Sequence, residues 1–242
     1  MIDAYYQCFR QKRAFREVLR RFRSAYPSSQ SKVVIVSDGG DDFSHIAAEH
    51  ACDYHQLPNK TNNKNLIFSK AEGIFEYAAR LGTYCKEFTN THFLLLEDDV
   101  LTLKSVDVDT LAYDINGCNK NEFFDHSIAN ELRKYNPELS RSKRIWYGAC
   151  GGSIFKTEFM VNLLEDRSRL LKEADFYCSR ASRSKWASDA FLSYLCLKHG
   201  GTIGQYPGFC ETWYSDYGDR MVEGSIEVLH QYKRLYENQI LN

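Results

Sequence analysis

The chain has 242 residues, 43% hydrophobic and 26% charged, enough for one large domain or two small halves packed together. Lys+Arg 31 against Asp+Glu 32 leaves a formal charge of −1, so a surface built to follow a phosphate backbone is not expected, and nucleic acid is not an expected partner. The longest apolar runs, at 33–36 and 93–96, fall far short of the ~20 residues that cross a bilayer, and residues 1–7 lack the basic start and apolar core of an export signal. The expectation is a protein without a membrane span, cytoplasmic, with its eight widely spaced cysteines reduced, since no Cys-x-x-Cys pair occurs.

Residues 2–6 read as a strand. Phe15, Val18, Leu19, Phe22 and Tyr26 then follow helical spacing up to Pro27, with Arg13, Arg16, Arg20, Arg21 and Arg23 mostly off that stripe and read as a solvated face. Val33-Val34-Ile35-Val36 is a continuous β-branched run, as in a strand covered on both faces, and it breaks at Ser37-Asp38-Gly39-Gly40. A short helix over 43–50, a strand near 52–55, a polar loop over 59–65 and a helix over 69–87 follow. Next comes the apolar strand 92–96, which stops abruptly at Glu97-Asp98-Asp99. In the second half, 146–153 reads as a strand entering a glycine turn, 156–165 as a helix and 186–197 as another. The aromatic and acidic stretch 209–218 reads as a loop, and 225–240 as a final helix.

Strands alternating with helices imply right-handed crossovers and a mainly parallel sheet, in which ligands sit beyond the carboxyl ends of the strands. Three polar clusters fall at such ends: 7–10, 38–42 and 97–99. Three consecutive carboxylates after an apolar strand repel one another unless something compensates, and Mg²⁺ or Mn²⁺ does so with oxygen ligands. A solvated acidic turn or a set of helix caps is the plainer alternative. A phosphorylatable receiver domain is a poor fit, because its acidic strand comes first, and the absence of Gly-x-Gly-x-x-Gly argues against a dehydrogenase.

Taken in order, these segments resemble the GT-A glycosyltransferases, nucleotide-sugar-dependent enzymes with an Asp-x-Asp metal motif. Residues 2–10 are similar to the opening strand and its nucleotide-facing loop, which implies donor contacts from Gln7, Phe9 and Arg10. The run 33–40 is similar to the strand ending in Asp-Asp-Gly-Ser, with Asp38 facing the base. Ala79-Arg80-Leu81-Gly82 resembles the helix that precedes the metal strand. Glu97-Asp98-Asp99 resembles the metal motif, with Asp99 and Glu97 as ligands and Asp98 towards the nucleotide. The stretch 148–153 resembles the turn beside donor sugar and acceptor, which implicates Gly151 and Gly152. Ser188-Asp189 resembles the Glu-Asp pair that supplies the base of inverting members. The likeness covers most of 1–200. It departs where Ser188 and Glu97 replace the usual acids, and the short chain is more similar to soluble microbial or large-DNA-virus (chlorovirus-like) members, which would place it in the host cytoplasm.

The resemblance implies one continuous domain, with 1–100 binding the nucleotide sugar and 101–242 binding the acceptor and carrying catalysis. The implied reaction moves a sugar from a nucleoside diphosphate, UDP by the habit of the family, to a hydroxyl of a glycan or glycoprotein acceptor, with Mn²⁺ or Mg²⁺ beside the diphosphate. Arg10, Lys70 and Arg80 are candidates for positive charge near that group. Asp189 is the candidate base for inversion, and retention stays open. His199 and His230 are candidate third metal ligands, and Trp186, Trp213 and Tyr214 candidate sugar-stacking rings, the last two on a loop able to close over the donor. A sugar-1-phosphate nucleotidyltransferase would need a glycine-rich loop after the first strand, where residues 7–12 contain no glycine. A non-catalytic nucleotide or carbohydrate binder would not need Asp189.

Overall fold

The computed structural model describes residues 1–8, 10–58, 71–117 and 123–232. Strands β1 (Asp3–Cys8), β2 (Val33–Ser37), β3 (Asp53–Gln56) and β4 (His92–Leu96) pair in parallel, alternating with helices α1 (Lys12–Ala25), α2 (Ser44–Glu49) and α3 (Ala71–Tyr84). The sheet continues through β7 (Ile154–Lys156), β6 (Ile115–Gly117) and β8 (Ile203–Gln205), giving seven strands in the order β3-β2-β1-β4-β7-β6-β8. Only β7 runs antiparallel to its neighbours. A small second sheet, β5 (Val100–Thr102), β10 (Val228–His230) and β9 (Phe209–Glu211), begins directly after the acidic triplet. It places β10 between an antiparallel β5 and a parallel β9.

The sheet is apolar because both of its faces are covered. Side chains alternate across a strand, so Tyr5, Val34 and Leu95 enter one core with α3, while Tyr6, Ile35 and Leu96 enter the other with α1. The predicted stripe of α1 is the buried one: Phe15, Val18, Leu19 and Phe22 are fully covered, each contributing about 2 kcal/mol by removal from water. Of its arginines, Arg20 and Arg21 share Glu17 and Arg16 meets Glu49, all at exposed positions worth little to stability. Arg23 instead donates to the carbonyls of Ser31, His50 and Ala51 at 2.8–2.9 Å, tying the entrances of β2 and β3 together.

At the opposite edge of the sheet from the acidic triplet, the fully buried Asp3 accepts from the backbone N–H groups of Lys32, Thr89 and Asn90 at 2.7–2.9 Å. A carboxylate so supplied with donors is a satisfied structural anchor. The next helix, α4, is His126–Tyr135, and where α3 crosses α5 (Thr157–Leu164) a Cβ on Gly82 would lie 2.6 Å from the Leu164 Cβ, so that glycine is set by helix contact.

Three expectations are overturned. Residues 225–240 do not begin a helix, because 228–230 form β10; 233–242 lie outside the described residues. In 146–153 the strand follows the glycine turn rather than entering it. Trp146 makes only an isolated bridge to Phe123, and β7 starts at Ile154. The stretch 209–218 also holds more structure than a loop, with β9 at its start and α8 (Tyr217–Glu223) at its end. Among the described residues no helix is long and apolar enough to cross a membrane, and Cys8, Cys52, Cys85, Cys150, Cys178, Cys196 and Cys210 are free thiols.

Helices α6 (Arg167–Arg180) and α7 (Ser188–Lys198) are joined by a buried charge cluster. Glu173, on α6, lies 2.7 Å from Lys198 Nζ, accepts from the Tyr194 hydroxyl at 2.9 Å, and sits 3.5 Å from His199 Nε2. Burial alone would raise the Glu173 carboxyl, but hydrogen bonds from His199, Lys198 and Tyr194 outweigh it and hold it at about 2. A carboxyl depressed in the folded state stabilises fully above its unfolded pKa of about 4.3, and this contribution is lost as pH falls towards about 2. The expected result is that Glu173→Gln destabilises the protein by about 2–3 kcal/mol at pH 7 and that the gap from wild type closes between pH 4.5 and pH 2, read by urea melts.

Candidate functional site

Because β2, β1 and β4 are adjacent and parallel, their carboxyl ends lie along one edge of the sheet. The three polar clusters of the sequence therefore meet in space. Gln7 Nε2, at the end of β1, donates to Asp38 Oδ2 at 3.1 Å, and Arg80 Nη1, from α3, donates to Asp38 Oδ1 at 3.3 Å. Asp38 is 2% exposed and Arg80 10%, so this ion pair is largely desolvated. Arg80 is thus engaged in orienting Asp38, while its Nε and Nη2, both buried, meet no hydrogen-bond partner among the described residues. Arg10 is exposed just beyond β1; Phe9 and Lys70 lie outside the described residues.

The acidic triplet forms a turn between β4 and β5, closed by the Val100 N–H donating to the Glu97 carbonyl at 3.1 Å. Tyr6, buried in β1, donates its hydroxyl to Asp98 Oδ1 at 2.8 Å and so turns Asp98 back towards β1. Glu97 and Asp99 are left facing His230. Register explains how a residue 131 positions away arrives there: antiparallel pairing sets His230 opposite Val100, next to Asp99, and parallel pairing sets it opposite Glu211. Glu97, Asp99 and His230 each offer a ligand atom, all within 4.8 Å of one another, and His230 Nε2 is 3.6 Å from Asp99 Oδ1. The other ring nitrogen, Nδ1, is 3.1 Å from the buried Glu211 Oε1. A donor bond from Nδ1–H to a carboxylate fixes the tautomer that leaves the Nε2 lone pair available. Cys150 also approaches this imidazole; burial disfavours its charged form, but hydrogen bonds with Cys150 and Glu211 carry its pKa above the ordinary histidine value.

The glycine turn closes the third side. A Cβ on Gly151 would stand 2.8 Å from Glu97 Oε2 and 3.1 Å from His230 Nε2, so the absence of a side chain there leaves room around these ligand atoms. Gly152 has φ +87°, and a Cβ on it would press on Phe209 and Val228 at 2.9 and 3.0 Å. Its N–H donates to the Leu95 carbonyl at 2.8 Å, pinning the turn to β4.

Asp189 opens α7, with the Ser188 hydroxyl donating to its Oδ1 at 3.2 Å. Burial, and then the charge of Asp189, push the Glu97 carboxyl up, with His230 opposing them and Asp99 and Asp98 adding to them. Asp189 is itself raised by burial, opposed by His230 and by the Ser188 hydrogen bond. Glu97, Asp99 and Asp189 are thus acidic neighbours in one partly desolvated cluster, with more negative charge than the single imidazole balances. The donor chemistry, two carboxylates and one imidazole with space left between them, fits a Mn²⁺-like or Mg²⁺-like ion.

Other expected residues are not among these ligand atoms. His199 sits at the far end of α7, about 15 Å of helix from Asp189, and faces Glu173, so it does not join the acidic cluster. Trp186 is half-buried and donates its Nε1–H to the Ala181 carbonyl at 3.1 Å. Trp213 is 42% exposed, edge-on to Tyr214, in a tight turn closed by the Tyr214 N–H on the Glu211 carbonyl. Reading the sequence missed Tyr6 and Glu211: no local signal marks a tyrosine inside a strand as the anchor of an aspartate 92 positions on, or a glutamate as the partner of a distant histidine.

No protein-family model matches the sequence, and no curated protein matches it. Among solved structures, the chain is similar to mouse xyloside xylosyltransferase 1 in its apo form, with a TM-score of 0.52 and 13% identity over 96% of this chain and 98% of that one. It is likewise similar to the galactosyltransferase LgtC in complex with donor and acceptor sugar analogs, with a TM-score of 0.54 and 12% identity over 96% and 87% of the two chains. At such identities the likeness is one of fold: this chain has the GT-A architecture.

Proposed function

We propose that the protein is a metal-dependent glycosyltransferase that moves a sugar from a nucleoside diphosphate, UDP in the first instance, to a hydroxyl on a glycan or glycoprotein. The observation that carries this reading is the meeting of Glu97, Asp99 and His230 at the carboxyl end of β4, in a sheet of GT-A architecture. Glu97, Asp99 and His230 would hold Mn²⁺ or Mg²⁺, which when bound supplies positive charge against the departing diphosphate. Asp38, held by Gln7 and Arg80, would accept from the base; the two remaining buried nitrogens of Arg80 supply further donors on that side. Asp98, turned by Tyr6, would orient the donor nucleotide.

Gly151 and Gly152 would let the donor sugar approach the backbone. Asp189 would take the proton of the acceptor hydroxyl as it attacks the anomeric carbon from the face opposite the leaving group, giving inversion. Its carboxyl, raised by burial, suits a base that works near neutral pH. Trp213 and Tyr214, two and three residues beyond Glu211, would flank a sugar.

The test is thermal stability with UDP, GDP and CMP, each with Mn²⁺ or EDTA. A native-state ligand at ~100-fold excess over Kd adds about 2.7 kcal/mol. A rise that needs both one nucleotide and the metal is the expected result; no rise with any combination would sink the proposal. Glu211 supplies a sharper check. Glu211→Gln is expected to weaken Mn²⁺ binding about 10- to 100-fold, measured by electron paramagnetic resonance of free Mn²⁺, because the amide no longer fixes the His230 ring.

A further inference from the structure

The two chain segments that lead into Gly151 and Asp189 are both basic, aromatic and devoid of acids. The first carries Arg141, Lys143 and Arg144 before Trp146 and Tyr147; the second carries Arg180, Arg183 and Lys185 before Trp186. In a chain whose net charge is −1, this concentration is local. The fold brings the two together. Phe123 and Phe124 lie between them, with the Phe124 N–H donating to the Ile145 carbonyl at 2.9 Å and Asp125 accepting from the Ser182 N–H at 2.6 Å.

The ring of Phe123, itself 38% exposed, carries Arg144 at 4.6 Å and Lys185 at 5.7 Å, so two cations stand within about 10 Å of each other on one aromatic residue. Lys185 also reaches the Tyr147 ring at 5.4 Å, and Arg183 the Trp186 ring at 5.8 Å. Arg144 and Arg183 are exposed. Among the described residues, Asp125 is a carboxylate on a neighbouring element, half-buried and engaged with the backbone.

This shelf is continuous with the site. Trp186 precedes Asp189 by no more than about 11 Å of extended chain, and Tyr147 precedes Gly151 by about 14 Å. Flat rings with apolar faces suit sugar rings, and the guanidinium groups among them suit carboxylate or phosphate oxygens.

We propose that this shelf holds the acceptor, and that the acceptor is an anionic glycan. The word acceptor rests on the transferase reading, whereas binding of an anionic glycan to the shelf does not. The experiment titrates fluorescein-labelled uronate and phosphomannan oligosaccharides against the full chain by anisotropy, with a labelled dextran oligomer of equal length as the neutral control and a single-stranded DNA oligonucleotide as a charge control.

The expected result is that one anionic oligosaccharide binds at least tenfold more tightly than dextran and than the DNA. Its binding should fall tenfold or more in Arg144→Ser/Arg183→Ser and return in Arg144→Lys/Arg183→Lys. The melting shift with UDP and Mn²⁺ is expected to be unchanged in both variants, which also shows that they fold. Equal binding of dextran, tighter binding of DNA, or anionic binding indifferent to the Ser variant would each overturn the proposal. Anionic glycan binding in a protein that shows no nucleotide shift would uphold the shelf while sinking the transferase reading.

Discussion

Replacing Asp99 by Ala is expected to abolish the joint stabilisation by a nucleoside diphosphate and Mn²⁺, a loss of about 2.7 kcal/mol under saturating conditions, and with it turnover. The cause is the small number of ligand atoms. Glu97, Asp99 and His230 offer one each within 4.8 Å, while Asp98 is held by Tyr6 and Glu211 holds His230. Removing Asp99 from these three would leave a single carboxylate and an imidazole, a pair that holds a hard cation more weakly. The fold itself is expected to survive, since Asp99 relieves crowding among carboxylates when it leaves, so the melting point without ligand should hold or rise. Global unfolding of Asp99→Ala, or a nucleotide shift that persists with Mn²⁺ present, would refute the assignment.

Asp189→Asn separates chemistry from binding. The amide keeps the shape and can keep the contact with Ser188, but it cannot take a proton. With donor and metal binding intact, kcat is expected to fall about 10²- to 10⁴-fold at pH 7.5. The comparison that matters is between turnover and the UDP–Mn²⁺ melting shift in the same variant. Turnover reduced together with the shift would make Asp189 a structural neighbour of the acidic cluster. Unchanged turnover would remove the base from it, and a retaining course would then follow as the reading of the site.

How legible the fold was differs by region. Residues 1–100 were readable because their elements are local: a β-branched run, a helical stripe, a proline stop, each determined within a dozen residues. Strand 92–96 and helix 12–25 therefore appear where periodicity puts them, within three residues. The last third was not readable in the same way. Val228-Leu229-His230 has too few residues to declare a strand, and it becomes one because β5 and β9 supply hydrogen-bonding edges on both sides. Nothing near residue 228 in the sequence carries that information. The glycine turn was recognised, but its strand lay on the other side, because β7 finds its partners, β4 and β6, only in the sheet.

The sequence by itself determined that polar clusters end three strands of a parallel sheet, since burial on both faces demands an apolar run and the run must stop where the ligand edge begins. Only the tertiary structure decided which side chains meet there. Tyr6 and Asp98 touch across adjacent strands, Arg80 comes down from a helix onto Asp38, and His230 reaches Asp99 because one register of β10 sets it beside Val100. Each of these contacts joins residues far apart in the chain. A one-residue slip of that register would turn His230 to the opposite face of the small sheet. Local propensity is blind to such a choice, and the pairing of β10 with β5 on one side and β9 on the other fixes it.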